Sequence, residues 1–169
     1  MPYQLLTDMN NGFTISFWSK DDISNDNDHI ILADDPSNGY RLLAAHLPWR
    51  DSIAYFDIHD SSNTRLRIST TPAGTATELS HWILTKEVSG TNMIMKLWKN
   101  GILETSGTFT NVTWTASGKR FRIGVNNSGD SHTFKDKSLE NFRIYNRVLS
   151  AAEVQQLYES QYVLSLIHI

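Results

Sequence analysis

Three groups of side chains in this 169-residue chain are of types that could do chemistry. The first is Asp57-Ile58-His59-Asp60. Alternation along a strand puts Asp57 and His59 on one face, where a carboxylate beside an imidazole suits acid–base work or a metal ion. The same stretch leads into Ser61-Ser62-Asn63, a turn composition, and an exposed strand end is the preferred reading. The second is Glu140, which shares parity with apolar Phe142 and Ile144. It is therefore expected to point inward, where a carboxylate must be paired or hydrogen-bonded. The third is aromatic. Tyr40, Trp49 and Tyr55 are candidates for a sugar platform, because Leu47-Pro48-Trp49-Arg50 reads as a loop carrying an exposed indole. The competing reading makes Trp49 a plug at the edge of the fold. Trp18, Trp82 and Trp98 read as packing residues. The six histidines have no ligand-like spacing. Two glycosylation sequons, Asn111-Val112-Thr113 and Asn126-Asn127-Ser128, are matches expected by chance in an Asn- and Thr-rich chain.

Composition bounds what these groups belong to. With 40% hydrophobic and 20% charged residues, the chain has the make-up of one ordinary globular domain. Its net charge is −3 and its Lys and Arg are scattered singly, which argues against a nucleic-acid partner. No apolar run approaches the roughly 20 residues of a membrane-spanning helix. The absence of cysteine excludes disulfides and thiolate metal sites and leaves the redox compartment open. No signal peptide follows Met1, so the expectation is either a cytoplasmic protein or a piece of a longer secreted chain.

The elements that must position these groups are strands. Phe13, Ile15 and Phe17 alternate with Thr14, Ser16 and Trp18. The same period recurs at Ala54 to Ile58, Arg65 to Ile68, Phe121 to Val125 and Phe142 to Tyr145. Trp82, Leu84 and Val88 share one parity, interrupted by Lys86. Such runs, separated by Gly, Asn, Asp and Ser, indicate short antiparallel strands with one buried face. Asn100-Gly101 between apolar runs predicts a hairpin with a type I′ turn, with Trp98 facing Leu103. Apolar groups on both faces of Met93 to Leu97 indicate a strand that is central or covered on both sides. One helix is expected. Ser150 and Glu153 form a capping box, Leu149 and Val154 a hydrophobic staple, and Val154, Leu157 and Tyr158 a narrow apolar stripe. A short helix of this kind is expected on the edge or rim of the strands. Residues 1–160 form the expected domain. The apolar tail 161–169 is set apart, because Leu164-Ser165-Leu166-Ile167-His168-Ile169 resembles translated sequencing-adapter read-through; a final strand is the alternative.

The order of these motifs resembles the laminin-G-like jelly-roll family of the concanavalin-A-like lectin and glucanase group. Gly12-Phe13-Thr14-Ile15-Ser16-Phe17-Trp18 is similar to its early strand, Trp82 to its central Trp strand, and Leu97-Trp98-Lys99-Asn100-Gly101 to its aromatic-x-Asn-Gly hairpin. Leu139 to Val154, containing Arg143-Ile144-Tyr145-Asn146-Arg147, is similar to its closing strand and helix. The resemblance implies an all-β, antiparallel jelly-roll sandwich of two sheets with one short C-terminal helix. The family strand upstream of Gly12 is absent or shortened to Tyr3–Leu6, which would leave a sheet edge exposed. The usual Gly before the closing strand is replaced by Asp136, Lys137 and Ser138.

The resemblance also implies function. It points to non-catalytic binding of a glycan or a protein surface, within a longer extracellular or cell-surface chain. A glycoside hydrolase or lyase, or a structural spacer, are the alternatives. The related laminarinases carry Glu-x-Asp-x-x-Glu, which occurs nowhere here. An acid at the position of Glu140 is read as bracing a neighbouring loop. Calcium is common in the group, held by loop oxygens. The candidate loops are Asp21 to Asp28, Asp34-Asp35 and Asn126 to Asp130, with Asp34 and Asn126 the residues chosen as ligands. None has fixed ligand spacing.

Overall fold

The computed structural model describes residues 9–20, 31–35, 40–49, 51–72, 78–114, 119–124 and 138–167. In chain order the elements are β1 (Gly12–Lys20), β2 (Ile31–Asp34), β3 (Arg41–His46), β4 (Ala54–His59), β5 (Arg65–Thr70), β6 (Ser80–Ser89), β7 (Asn92–Lys99), β8 (Ile102–Phe109), β9 (Arg120–Ile123), β10 (Ser138–Tyr145) and α1 (Ala151–Ile167). The strands form two antiparallel five-stranded sheets. Sheet A has the order β10-β1-β6-β7-β8 and sheet B the order β5-β4-β3-β2-β9. This is the expected jelly-roll sandwich. Tyr3–Leu6, where the leading strand was expected to be absent or shortened, lies outside the described residues.

Alternation builds the layer between the sheets. Phe13, Ile15 and Phe17 of β1 meet Trp82 and Leu84 of β6 and Met93, Met95 and Leu97 of β7. From sheet B come Leu43, Ala45, Phe56, Ile58 and Ile68. The Asn100-Gly101 turn has φ of 51° and 80°, the paired positive values of a type I′ turn, and Trp98 pairs with Leu103 as expected.

Sheet A is also covered on its outer face. The capping box forms, Ser150 N donating to Glu153 Oε2 at 2.8 Å and Glu153 N to Ser150 Oγ at 3.3 Å. The staple residues Leu149 and Val154 are buried in a second cluster with Ile83 and Trp98. The helix thus lies over the outer face of sheet A and not on the edge or rim expected for it. Trp18 explains the difference. It points outward from β1, yet it is buried, stacked on His81 at 5.1 Å and on Tyr158 of α1 at 5.9 Å. Its Nε1 donates to Gln161 Oε1 at 2.7 Å. His81, which bonds Ser16 Oγ, is pushed down to about 4 by burial first and by Arg143 second, so it is a neutral packing group. The backbone of residues 161–167 continues the helix, so the alternative of a final strand does not hold.

Glu140 is a second correction. Opposite β1, the register runs from Ser16↔Arg143 to Trp18↔Glu140, so β10 carries one extra residue there. Asn141, with φ of 51°, sits in that bulge. Parity reverses across it. Leu139 packs on the core, Phe142 stacks on Phe17, and Glu140 is exposed.

Lys86 interrupts an inward-facing set and is itself fully buried. Its ammonium donates to the carbonyls of Asn10 at 2.7 Å and Met9 at 3.3 Å and lies 3.4 Å from the centre of the Trp114 ring. It closes one end of the sandwich by tying the segment before β1 to the segment after β8. Burial pushes the amine down to about 7, while the carbonyls and the indole favour its charged form.

Two outcomes follow. A chain ending at Ser160 is expected to be about 1–2 kcal/mol less stable in denaturant unfolding than one ending at Ile167, because the buried Trp18 indole loses its acceptor. Lys86 has a folded value below its unfolded one, so the unfolded chain binds more protons between about pH 7 and the ordinary lysine range near 10.5. Stability from this group therefore rises with pH across that window. Thermal midpoints of the wild type and Lys86→Met measured from pH 7 to 10 should show the rise in the wild type and its loss in the variant.

Candidate functional site

The outer face of sheet B differs in kind from that of sheet A. Every charged residue on its strands points outward: Asp34, Arg41, Asp57, Arg65, Arg67, Arg120 and Arg122. Both aspartates are fully buried and both are paired. Arg67 grips Asp57 with two 2.6 Å bonds. Asp34 accepts from Arg120 through both oxygens, at 2.8 and 3.1 Å, and from Arg122. A carboxylate moved out of water is tolerated only with such charge-assisted partners.

At one end of this face the β3–β4 connection builds an aromatic cluster. After His46 the chain passes a cis Leu47-Pro48 bond and turns back tightly. Trp49 N donates to Ile53 O and Ser52 N to Trp49 O, both at 2.8 Å, with Ser52 at φ of 65°. Asp51 Oδ1 accepts from Ile53 N at 2.9 Å. This return folds the Trp49 ring onto His46, at 4.3 Å between centroids and 18° between planes. Tyr55, paired with His46 across the hairpin, meets the Trp49 ring edge-on at 5.6 Å. The Tyr55 hydroxyl donates to Asp51 Oδ2 at 2.6 Å, which holds the phenol above its ordinary value. The Arg67 guanidinium lies over the Tyr55 ring at 4.2 Å, held there by Asp57. Trp49 itself is half-buried.

The structure thus brings together two of the three aromatic candidates. Tyr40 stands apart, before the opposite end of β3, roughly 20 Å away at the rise of an extended strand. Tyr40 is 55% exposed. Asp34, chosen as a calcium ligand, has its charge met by two arginines and sits at the Tyr40 end. Asn126 lies outside the described residues, as do Asp21 to Asp28. Among the described residues no three His, Asp or Glu side chains converge as a metal site. Asp57 and His59 do share a face, but Asp57 is held by Arg67, and His59 bonds Asn63 Oδ1 at 3.2 Å and is lowered mainly by burial. Sequence reasoning missed His46, Asp51 and Arg67. Only the β3–β4 register puts His46 beside Tyr55, and only the β4–β5 register puts Arg67 opposite Asp57.

Two antiparallel five-stranded sheets face to face, with one C-terminal helix, make a jelly-roll sandwich. The family model described as Concanavalin A-like lectin/glucanases superfamily, of the laminin G type, matches residues 1–155, and the chain belongs to that family. No curated protein sequence matches it. Similar solved structures include the receptor-binding domain of botulinum neurotoxin mosaic serotype C/D (TM-score 0.68, 18% identity, 90% of this chain). The binding domain of botulinum neurotoxin DC in complex with rat synaptotagmin II is another (0.65, 17%, 90%). A third is domain 4 of AbnA, a GH43 extracellular arabinanase from Geobacillus stearothermophilus, in complex with arabinotriose (0.68, 20%, 88%). At these identities the likeness is one of fold. The chain spans 36–37% of the two neurotoxin chains and 66% of the arabinanase one. No helix among the described residues is long and apolar enough to cross a membrane.

The pairing of Asp57 has a measurable consequence. Removing Arg67 leaves a buried carboxylate without its partner, so Arg67→Met is expected to cost about 3 kcal/mol. The double variant Arg67→Met with Asp57→Leu should recover most of that, read by urea unfolding of all three proteins.

Proposed function

We propose that this chain is a non-catalytic carbohydrate-recognition module that uses the rim formed by Trp49 and Tyr55. The observation that carries the reading is the bracing of Trp49. The indole belongs to neither buried cluster. It is instead fixed on the outer face of sheet B by His46 and Tyr55, and Tyr55 in turn carries the Asp51 carboxylate at its hydroxyl and the Arg67 guanidinium over its ring. A rigid ring with polar groups at its edge suits the apolar face and hydroxyls of a sugar, because little ordering remains to be done on binding. The arabinotriose complex of AbnA domain 4 supports this choice of ligand class. A binding domain that contains a similar fold was solved in complex with rat synaptotagmin II, and a protein surface is the second reading. The pairing of Asp57 with Arg67 favours a structural over a catalytic role for that carboxylate. A module of this kind belongs in a longer secreted or surface protein, as the extracellular arabinanase exemplifies.

A glycan array probed with the full chain, with calcium and again with a chelator, tests the reading. Binding to a defined set of saccharides is expected. Trp49→Ala should weaken it at least roughly tenfold, as loss of an interface hot spot does, while the circular dichroism spectrum is unchanged. Binding that disappears with the chelator would implicate loop oxygens as well. Folded protein that binds no saccharide in either condition would overturn the carbohydrate reading in favour of a protein ligand.

A further inference from the structure

The joint between sheet A and α1 is built around an imidazole. His81 of β6 is fully buried there, ring against ring with Trp18 of β1 at 5.1 Å and Tyr158 of α1 at 6.0 Å. Its Nε2 is 2.8 Å from Ser16 Oγ, and its Nδ1 is buried with no hydrogen-bonding group of the protein to meet it. A neutral imidazole packs well between two aromatic rings. An imidazolium in the same place would hold an N–H without an acceptor and a charge without a counter-ion.

The elements around His81 supply no counter-ion. Arg143 of β10 acts on it and opposes a positive charge. Lys20 of β1 and Lys96 and Lys99 of β7 are further cations. Ser16 and Trp18 of β1, Asn100 after β7 and Gln161 of α1 carry no charge, and Tyr158 of α1 is a phenol. Glu140 of β10 and Glu159 of α1 are exposed. Glu87, on the same face of β6, is six residues along, roughly 20 Å away. Among the described residues no carboxylate pairs with His81.

The helix can leave without the core. The buried groups beneath it, Ile83, Trp98, Leu149 and Val154, form a cluster that shares no residue with the layer between the sheets. Thr14 Oγ1 donates to Arg147 O and accepts from Leu149 N, both at 2.9 Å, so the connection from β10 is pinned to sheet A as far as the capping box. The pivot therefore falls at Ser150. Docking also leaves a polar group unsatisfied. Gln161 gives its Oε1 to Trp18, but its Nε2 is buried without a partner. That penalty vanishes when the helix lifts.

We propose that α1 is an acid-released latch: protonation of His81 lifts the helix off sheet A and bares the face of Trp18, Ile83 and Trp98 while the sandwich stays folded. In the docked state burial, and then Arg143, push His81 down to about 4. With the helix away the ring meets water and returns toward its ordinary 6.5. The released state thus binds more protons between these values. Docking is at full strength above about pH 6.5 and weakens as pH falls toward 4. The carbohydrate reading plays no part in this latch.

Amide hydrogen exchange of the full chain at pH 7 and pH 4.5, corrected for the intrinsic pH dependence of exchange, tests it. Protection of amides 155–160 in α1 is expected to fall on the order of fiftyfold at the lower pH, while amides of β6 and β7 keep theirs. His81→Phe keeps a ring in the stack and removes the proton, so its helix should stay protected at both pH values. In the wild type, the His81 ring NMR signals should remain those of a neutral imidazole at pH 6. Equal α1 protection at both pH values, a loss that β6 and β7 share, or a loss of the same size in folded His81→Phe would overturn the latch. So would a charged His81 at pH 6 beneath a protected helix, which needs no variant to observe.

Discussion

A two-sheet sandwich shares one apolar layer and leaves each sheet an outer face, and the different fates of these two faces organise the molecule. Sheet A carries Trp18, Ile83 and Trp98 outward, too much apolar surface to leave in water. It therefore needs a third layer, and α1 supplies it. Docking of the helix buries Val154 and Leu149 and gives the indole of Trp18 its acceptor in Gln161. Sheet B carries arginines and aspartates outward instead.

The price of that charged face is the burial of Asp34 and Asp57. Each is met by guanidiniums, so the arginines lie along the sheet as a fixed layer. Arg67 does two things at once: it compensates Asp57 and covers the Tyr55 ring. Through Tyr55 the same contact steadies Trp49, so the electrostatics of the strands and the posture of the aromatic rim are coupled. Arg41 and the Lys119–Asp35 pair lie toward the other end, about a strand's length from the aromatic rim.

Parity arguments succeed where a strand is uninterrupted and fail at bulges. Phe13, Ile15 and Phe17 face the core as their spacing requires, and so do Phe56 and Ile58. Glu140 does not follow Phe142, because one extra residue at Asn141 turns the strand over. Nothing local marks that bulge; Asn tolerates positive φ in many settings. Lys86 was legible as an oddity in an inward row, but its carbonyl and indole partners come from segments distant in the chain.

The sequence by itself determined what depends on near neighbours: strand periodicity, the Asn100-Gly101 turn, the capping box and staple of α1, and the family to which their order belongs. It also marked Tyr40, Trp49 and Tyr55 as one set of aromatic candidates. Tertiary structure alone decided which groups meet. Strand pairing set Arg67 against Asp57 and His46 beside Tyr55, separated Tyr40 from Trp49, and spent the carboxylate of Asp34 on two arginines of β9. It also laid the helix across sheet A, because the destination of an apolar stripe depends on which surface is left to be covered.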